Sequence, residues 1–126
     1  MKRTRYTIQP EGREALVCRL TAELENEPAV AFAYLYGSLL DSEAVHDVDV
    51  GLYLREVDAE GGQAAASALS ARLSIIAGLP VDVRVLNEAP LSFVYHVLRG
   101  RLLLCRDEDL LTTMLETMKG KISYLC

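Results

Sequence analysis

Two short segments alternate strictly between apolar and acidic residues, and this alternation limits the folds that the chain can adopt. In residues 47–54, valines and leucines occupy the even positions, while Asp47 and Asp49 occupy odd ones. In residues 81–85, three valines alternate with Asp82 and an arginine. Since successive side chains of a strand point to opposite faces, each segment predicts a strand with one apolar face and one acidic face. Both strands therefore require a sheet that is covered by other elements on its apolar side.

Glycine and proline divide the rest of the chain into further elements. A continuous apolar run at residues 29–36 is typical of a strand that is buried on both faces. The first predicted helix is opened by Pro10 and has Leu16, Leu20 and Leu24 on its apolar side. An alanine-rich helix follows Gly61-Gly62 and ends at Gly78, and a short helix runs from Pro90 to Gly100. After a strand at 102–105 comes a last helix, which is capped by Asp107 and has an apolar side formed by Leu110, Leu111, Met114, Leu115 and Met118. This order predicts an α/β (or α+β) fold, a mixed sheet with flanking helices, and we expect residues 1–126 to form a single domain.

Composition and charge narrow the possible partners. The chain has a net charge of -5 with no basic stripe, which argues against binding to a nucleic-acid backbone. No apolar run reaches the length of a membrane span or a signal peptide, so we expect a cytoplasmic protein with no membrane partner. The cysteines show no metal-binding spacing, and we interpret Cys18 and Cys105 as small core residues. Composition and charge do not decide between a monomer and a homo-oligomer, and a homo-oligomer stays possible.

The acidic faces of the two alternating strands carry the candidate chemistry. Asp47 and Asp49 project from the same face of one strand, close enough to share a metal ion. If the strand that carries Asp82 is its neighbour, three carboxylates converge. Carboxylate oxygens are ligands that Mg²⁺ prefers, and two such ions would stabilise the attacking and leaving oxygens of a nucleotidyl transfer. Acids that alternate with valines also occur on solvated strand faces, so the pair alone does not decide between the two interpretations.

A Gly-Ser turn after the buried strand favours a phosphate ligand. Gly37 allows the backbone to approach a ligand closely, and the Ser38 hydroxyl with neighbouring amides can hold a phosphate. Arg84 lies on the same predicted face as Asp82, where it would either reach a phosphate or pair with the acids. Gly37, Ser38 and Arg84 are therefore the candidate nucleotide-binding residues.

Taken together, these motifs resemble a known family. Tyr36-Gly37-Ser38, followed after eight residues by Asp47-Val48-Asp49-Val50, is similar to the signature of the DNA polymerase beta-like nucleotidyltransferase superfamily. The later segment at 80–83, Pro-Val-Asp-Val, resembles its minimal nucleotidyltransferase (MNT) branch. The resemblance implies that Gly37 and Ser38 contact the triphosphate of ATP. It also implies that Asp47 and Asp49 bind two Mg²⁺ ions, and that Asp82 completes the metal site or deprotonates the incoming hydroxyl.

Members of this minimal branch are commonly antitoxins that are paired with a HEPN-domain ribonuclease toxin. The resemblance therefore implies transfer of AMP from ATP to a tyrosine of such a toxin, which is silenced by the modification. This chain departs from the family pattern in a short, arginine-free loop at residues 39–46, where a histidine, His46, precedes the first aspartate. Two alternatives stay open: an antitoxin that neutralises its partner by binding alone, and nucleotidyl transfer to a small molecule.

Overall fold

The computed structural model describes residues 6–7, 9–37, 44–45 and 47–125. Its strands are β1 (Tyr6–Thr7), β2 (Val30–Tyr36), β3 (Ala44–Val45), β4 (Val48–Leu54), β5 (Val81–Val85) and β6 (Arg101–Cys105). Its helices are α1 (Pro10–Leu24), α2 (Ala59–Ala77), α3 (Leu91–Leu98) and α4 (Glu108–Leu125). None of the helices in this part of the chain has the length and apolar character that crossing a membrane requires.

Four of the strands form one mixed sheet, as the sequence predicts. The strand order is β5-β4-β2-β6, in which β4 and β5 run parallel and the other two pairs are antiparallel. All seven residues of the central strand β2 are buried, in agreement with its continuous apolar sequence. The short strands β1 and β3 pair with each other antiparallel, in a separate sheet.

Helices cover both faces of the four-stranded sheet. On one face, α1 and α2 pack through Leu20 and Leu73 against the valines of β4 and β5. On the other face, α3 and α4 pack through Val97 and Leu111 against aromatic side chains of β2. The apolar faces of β4 and β5 thus pack against α1 and α2, and the acidic faces of these two strands lie on the side of α3.

Helix boundaries and exposure differ from the prediction in three places. Helix α2 begins at Ala59, before the Gly61-Gly62 pair, because Asp58 caps it by accepting a hydrogen bond from the Gly61 amide at 2.7 Å. Cys18 is exposed on α1 rather than buried, and Cys105 is only half-buried. Leu115 lies on the predicted apolar side of α4 but is 40% exposed.

The predicted cap of α4 at Asp107 is confirmed, since the Asp107 carboxylate accepts a hydrogen bond from the Leu110 amide at 3.0 Å.

Candidate active site

The strand register brings two of the predicted acids together. Asp49 of β4 is the register partner of Asp82 on the parallel strand β5, and on its other side it is the partner of Tyr36 on β2. Neighbouring strands lie about 4.8 Å apart, so residues in register on one face are direct neighbours. The amide of Val48 donates a hydrogen bond of 2.9 Å to the carbonyl of Pro80, which joins the beginnings of β4 and β5. The acids therefore gather where these two strands start and β2 ends.

Asp47 lies immediately before β4, two positions from Asp49, and both side chains are half-buried. The burial pattern of β4 places Val48 and Val50 in the core below the sheet, so the acids face α3. The sequence-derived arrangement of an Asp-x-Asp pair beside a third strand carboxylate thus agrees with the observed backbone register.

Arg84 pairs with Asp82 in this structure. Its Nε donates a hydrogen bond of 3.0 Å to the Asp82 Oδ2. This hydrogen bond and the negative charge of Asp82 raise the pKa of the Arg84 guanidinium above its usual value. The two side chains are 61% and 44% exposed, and an ion pair so accessible to water contributes little free energy. Either group is therefore able to exchange its partner for a ligand at small cost.

Gly37 lies against the Asp49 carboxylate. Its φ of +87° is in the left-handed region, and a Cβ at this position would lie 2.5 Å from the Asp49 Oδ2. Only glycine satisfies both the backbone conformation and the close contact. Ser38, the second residue of the predicted phosphate turn, lies outside the described residues, as does His46.

Tyr36 connects the acids to helix α3. Its ring makes edge-on contacts with the rings of Phe93 and His96, with centroids 5.8 Å and 5.5 Å apart. Burial, followed by the negative charge of Asp49, raises the pKa of the Tyr36 phenol to about 12. Asp82 and Asp47 raise this pKa further and Arg84 lowers it, so the phenol is within electrostatic reach of every charged residue named for the site.

Two glycines allow close contacts around α3. A Cβ on Gly51 of β4 would lie 2.6 Å from Val97 of α3, and a Cβ on Gly100, just before β6, would lie 2.2 Å from the Leu35 carbonyl oxygen of β2. The first contact lets α3 approach β4 closely, and Phe93 and His96 of the same helix contact Tyr36. The sequence alone does not indicate that these two aromatic residues belong to the site. Their spacing of three on a helix shows that they share a face, but not which strand that face meets.

The carboxylates of Asp47, Asp49 and Asp82 are chemically suitable ligands for a hard divalent cation. Within the described part of the chain, no three histidine, cysteine or acidic side chains lie close enough to form a metal site as they stand. Asp82 is directed to Arg84, whereas Asp47 and Asp49 begin the neighbouring strand. Carboxylate oxygens beside a glycine suit Mg²⁺, which takes its remaining ligands from water and phosphate oxygens.

Comparison with known families and structures defines the class of the protein. The family description "Polymerase beta, Nucleotidyltransferase" matches residues 19–109, which include the whole four-stranded sheet. The chain belongs to this nucleotidyltransferase family. No curated protein sequence matches it significantly.

Similar solved structures come from toxin–antitoxin complexes. In a complex of tri-AMPylated Shewanella oneidensis HEPN toxin with MNT antitoxin, the matching chain has a TM-score of 0.66 at 17% identity over 90% of this chain and 88% of that chain. The MntA–HepT toxin–antitoxin gives a TM-score of 0.60 at 19% identity, over 90% and 86%. A toxin–antitoxin with AMP-PNP gives 0.64 at 18% identity, over 89% and 88%. These likenesses confirm the nucleotidyltransferase fold.

The contact between Gly37 and Asp49 can be separated from backbone strain by comparing two glycines. Gly78 also has a positive φ, +74°, but a Cβ there would meet nothing within 4 Å. We expect Gly78→Ala to cost about 1–2 kcal/mol of unfolding free energy, from backbone strain alone. Gly37→Ala adds the displacement of the Asp49 carboxylate and should cost roughly 1–3 kcal/mol more. Urea denaturation of the two variants measures the difference, and equal losses would contradict the close contact.

The raised pKa of Tyr36 predicts a pH dependence of stability. In the unfolded chain the phenol ionises near pH 10, and in the folded protein at about 12. The stabilisation is therefore present below pH 10 and lost as the pH rises to about 12, by about 2–3 kcal/mol. We expect Tyr36→Phe to remove this part of the decline, and Asp49→Asn to lower the pKa of Tyr36. Urea denaturation between pH 9 and 12 tests the first expectation, and ¹³C NMR of the phenol tests the second. A decline of equal slope in wild type and Tyr36→Phe would refute the assignment.

Proposed function

We propose that this protein is a Mg²⁺-dependent adenylyltransferase that transfers AMP from ATP to a tyrosine of a partner HEPN-domain toxin and so acts as its antitoxin. The observation that carries the proposal is the register of Asp49 with Asp82 on parallel strands, with Asp47 two positions away and Gly37 in contact with the Asp49 carboxylate. Family membership supports nucleotidyl transfer as the reaction class, and the register of the carboxylates supports this edge of the sheet as its site.

Each side chain has a separate task in the proposed reaction. Asp47 and Asp49 would hold Mg²⁺, with Asp82 as a third ligand, and the bound ions would neutralise the triphosphate and the pyrophosphate leaving group. An Asp82 carboxylate oxygen would accept the proton of the tyrosine hydroxyl as the phenolic oxygen bonds to the α-phosphorus and the bond to pyrophosphate breaks. Arg84 would leave Asp82 for a phosphate oxygen, an exchange that its exposure makes inexpensive.

Gly37 and Tyr36 would shape the nucleotide side of the site. The absence of a side chain at Gly37 lets the Asp49 carboxylate lie against the backbone, and the Ser38 hydroxyl and neighbouring amides would contact the phosphate. Tyr36 is neutral at physiological pH, as any tyrosine phenol is, so it adds no further negative charge to the acidic cluster, and its raised pKa extends this to strongly alkaline pH.

The similar structures support the choice of nucleotide and acceptor. One is a HEPN toxin that carries AMP groups and is bound to an MNT antitoxin, and another is a toxin–antitoxin with the ATP analogue AMP-PNP. A protein acceptor also suits a chain of net charge -5, which does not favour a nucleic acid. The cytoplasm, which supplies ATP and Mg²⁺, is the compartment that the proposed reaction requires.

Two other functions compete with the proposal. An antitoxin that acts by binding alone would use the same fold without chemistry, and the arginine-free loop at residues 39–46 favours this alternative. Transfer to a small molecule would need a closed acceptor pocket, whereas the cavity that Asp82 lines in the described part of the chain is an open groove. We therefore rank protein modification first.

Removal of the first two carboxylates distinguishes catalysis from binding. We expect the Asp47→Asn/Asp49→Asn variant to lose AMP transfer to the proposed HEPN partner by at least about 10³-fold, because the metal-bound triphosphate loses its charge stabilisation. Labelled ATP with Mg²⁺ measures the transfer, and excess EDTA should abolish it in the wild type. Asp109→Asn, an exposed aspartate in the first turn of α4, is the matched control and should retain full activity.

The same variant tests the binding-only alternative. If the wild type transfers no AMP, and the doubly substituted variant neutralises the toxin as well as the wild type does, the enzymatic proposal is wrong. The antitoxin would then act through its surface alone.

A further inference from the structure

Two adjoining cavities lie along β5, the edge strand of the described four-stranded sheet. A cavity of about 800 Å³ is lined by residues 82–85 of the strand, and one of about 480 Å³ adjoins Val85 at its end. The two cavities share Gln63 of α2, Val85 of β5 and Ala89 in their linings. The two cavities together, lined by α2 on one side and the start of α3 on the other, are called the β5 groove below.

One end of the β5 groove lies at the candidate site. Asp82, Arg84 and Phe93 line the larger cavity, beside uncharged residues of α2. If Asp82 takes the proton of the acceptor hydroxyl, the acceptor side chain must lie at this end. The rest of the acceptor must then leave the site along a path that is open to solvent, and the β5 groove is such a path.

The other end of the β5 groove is acidic. Asp58 and Glu88 line the smaller cavity together with Asn87 and Tyr53, and the described residues of its lining include no lysine or arginine. The Asp58 carboxylate caps α2, which leaves Glu88, an exposed side chain, as the more accessible charge. A segment that follows the groove therefore meets negative charge at the end remote from Asp82, where a basic side chain would be attracted.

The edge of β5 is closed to strand addition where the groove begins. The amides of Val81 and Val83 donate hydrogen bonds of 2.8 Å and 2.9 Å to the hydroxyls of Ser74 and Ser70 on α2. An incoming strand would have to displace these bonds. A segment in the groove is thus held by side chains of the walls, such as Gln63 and Ser67, rather than by backbone pairing.

We propose that the β5 groove binds the acceptor as an extended polypeptide segment, with its tyrosine at Asp82 and a lysine or arginine at Glu88. The three steps of β5 from Asp82 to Val85 span roughly 10 Å at about 3.3 Å per residue, and the turn that continues to Glu88 adds further length, so the basic residue lies about four to five residues from the tyrosine. This inference rests on the proposed transfer to tyrosine and adds the class of sequence that the site accepts.

Short peptides and NMR test the groove independently of catalysis. The probes are two capped hexapeptides, Lys-Ser-Gly-Ser-Gly-Tyr and Tyr-Gly-Ser-Gly-Ser-Lys, which cover both chain directions, and their glutamate counterparts. With ¹⁵N-labelled protein we expect shifts of the Gln63, Ser67, Val85 and Ala89 amides, and none in α1, for at least one lysine peptide. Its glutamate counterpart should bind about fivefold more weakly, the effect of exchanging an exposed ion pair for a repulsion.

Matched variants locate the binding. Ser67→Trp fills the groove from an exposed position and should abolish the shifts, whereas Ala68→Trp, the next exposed residue of α2 and outside the lining, should not. Glu88→Lys should reverse the preference between the lysine and glutamate peptides, while Glu116→Lys, the same charge change on exposed α4, should leave it unchanged. Absence of shifts along the groove, or equal binding of lysine and glutamate peptides, would overturn the inference.

Addition of Mg²⁺ and ATP separates this inference from the proposed function. One outcome is that the lysine peptide binds in the groove, but neither its tyrosine nor the HEPN protein receives AMP. The proposed transfer is then wrong, whereas peptide binding in the β5 groove is confirmed. If the tyrosine is modified equally well by the wild type and Ser67→Trp, the transfer stands and the groove is wrong.

Discussion

The parallel pairing of β4 with β5 is the interaction on which the rest of the site depends. It places Asp49 beside Asp82, and the hydrogen bond from Val48 to the Pro80 carbonyl joins the two strands where they begin. A shift of one residue in this register would turn the acids of one strand into the core. The valines of both strands, buried against α1 and α2, make such a shift costly, so the same alternation that forms the core also orients the chemistry.

Gathering carboxylates on one face of a sheet has an electrostatic cost, and the structure shows how the surroundings limit it. Arg84 pairs with Asp82 in an exposed ion pair, and the neighbouring phenol of Tyr36, whose pKa is raised to about 12, carries no charge except at strongly alkaline pH. A cation bound by these carboxylates in the proposed reaction would add its binding free energy to the folded state, which would link the stability of this region to its ligand.

Much of the fold follows from local sequence patterns, but the walls of the site do not. The alternation in β4 and β5 and the apolar run of β2 predict the strands, and the spacing of Asp47 and Asp49 predicts their shared face. The contacts of Phe93 and His96 with Tyr36 depend on how closely α3 approaches the sheet, a tertiary property to which the close contact at Gly51 contributes. The β5 groove is also tertiary, since it forms between elements distant in the chain. The exposure of Cys18 is a different case, because the spacing of Leu16, Leu20 and Leu24 already places Cys18 on the opposite side of α1, and only its residue type suggested burial.

Paramagnetic NMR can show directly whether the acids at the start of β4 and β5 bind a divalent cation together with ATP. Mn²⁺ prefers the same oxygen ligands as Mg²⁺ and broadens only nearby resonances. With Mn²⁺ and a non-hydrolysable ATP analogue, the amides of Gly37, Asp49 and Asp82 should broaden first, while those at the end of β4 and along α1 persist. Broadening centred on another part of the protein, or an equal pattern in the Asp47→Asn/Asp49→Asn variant, would contradict the account.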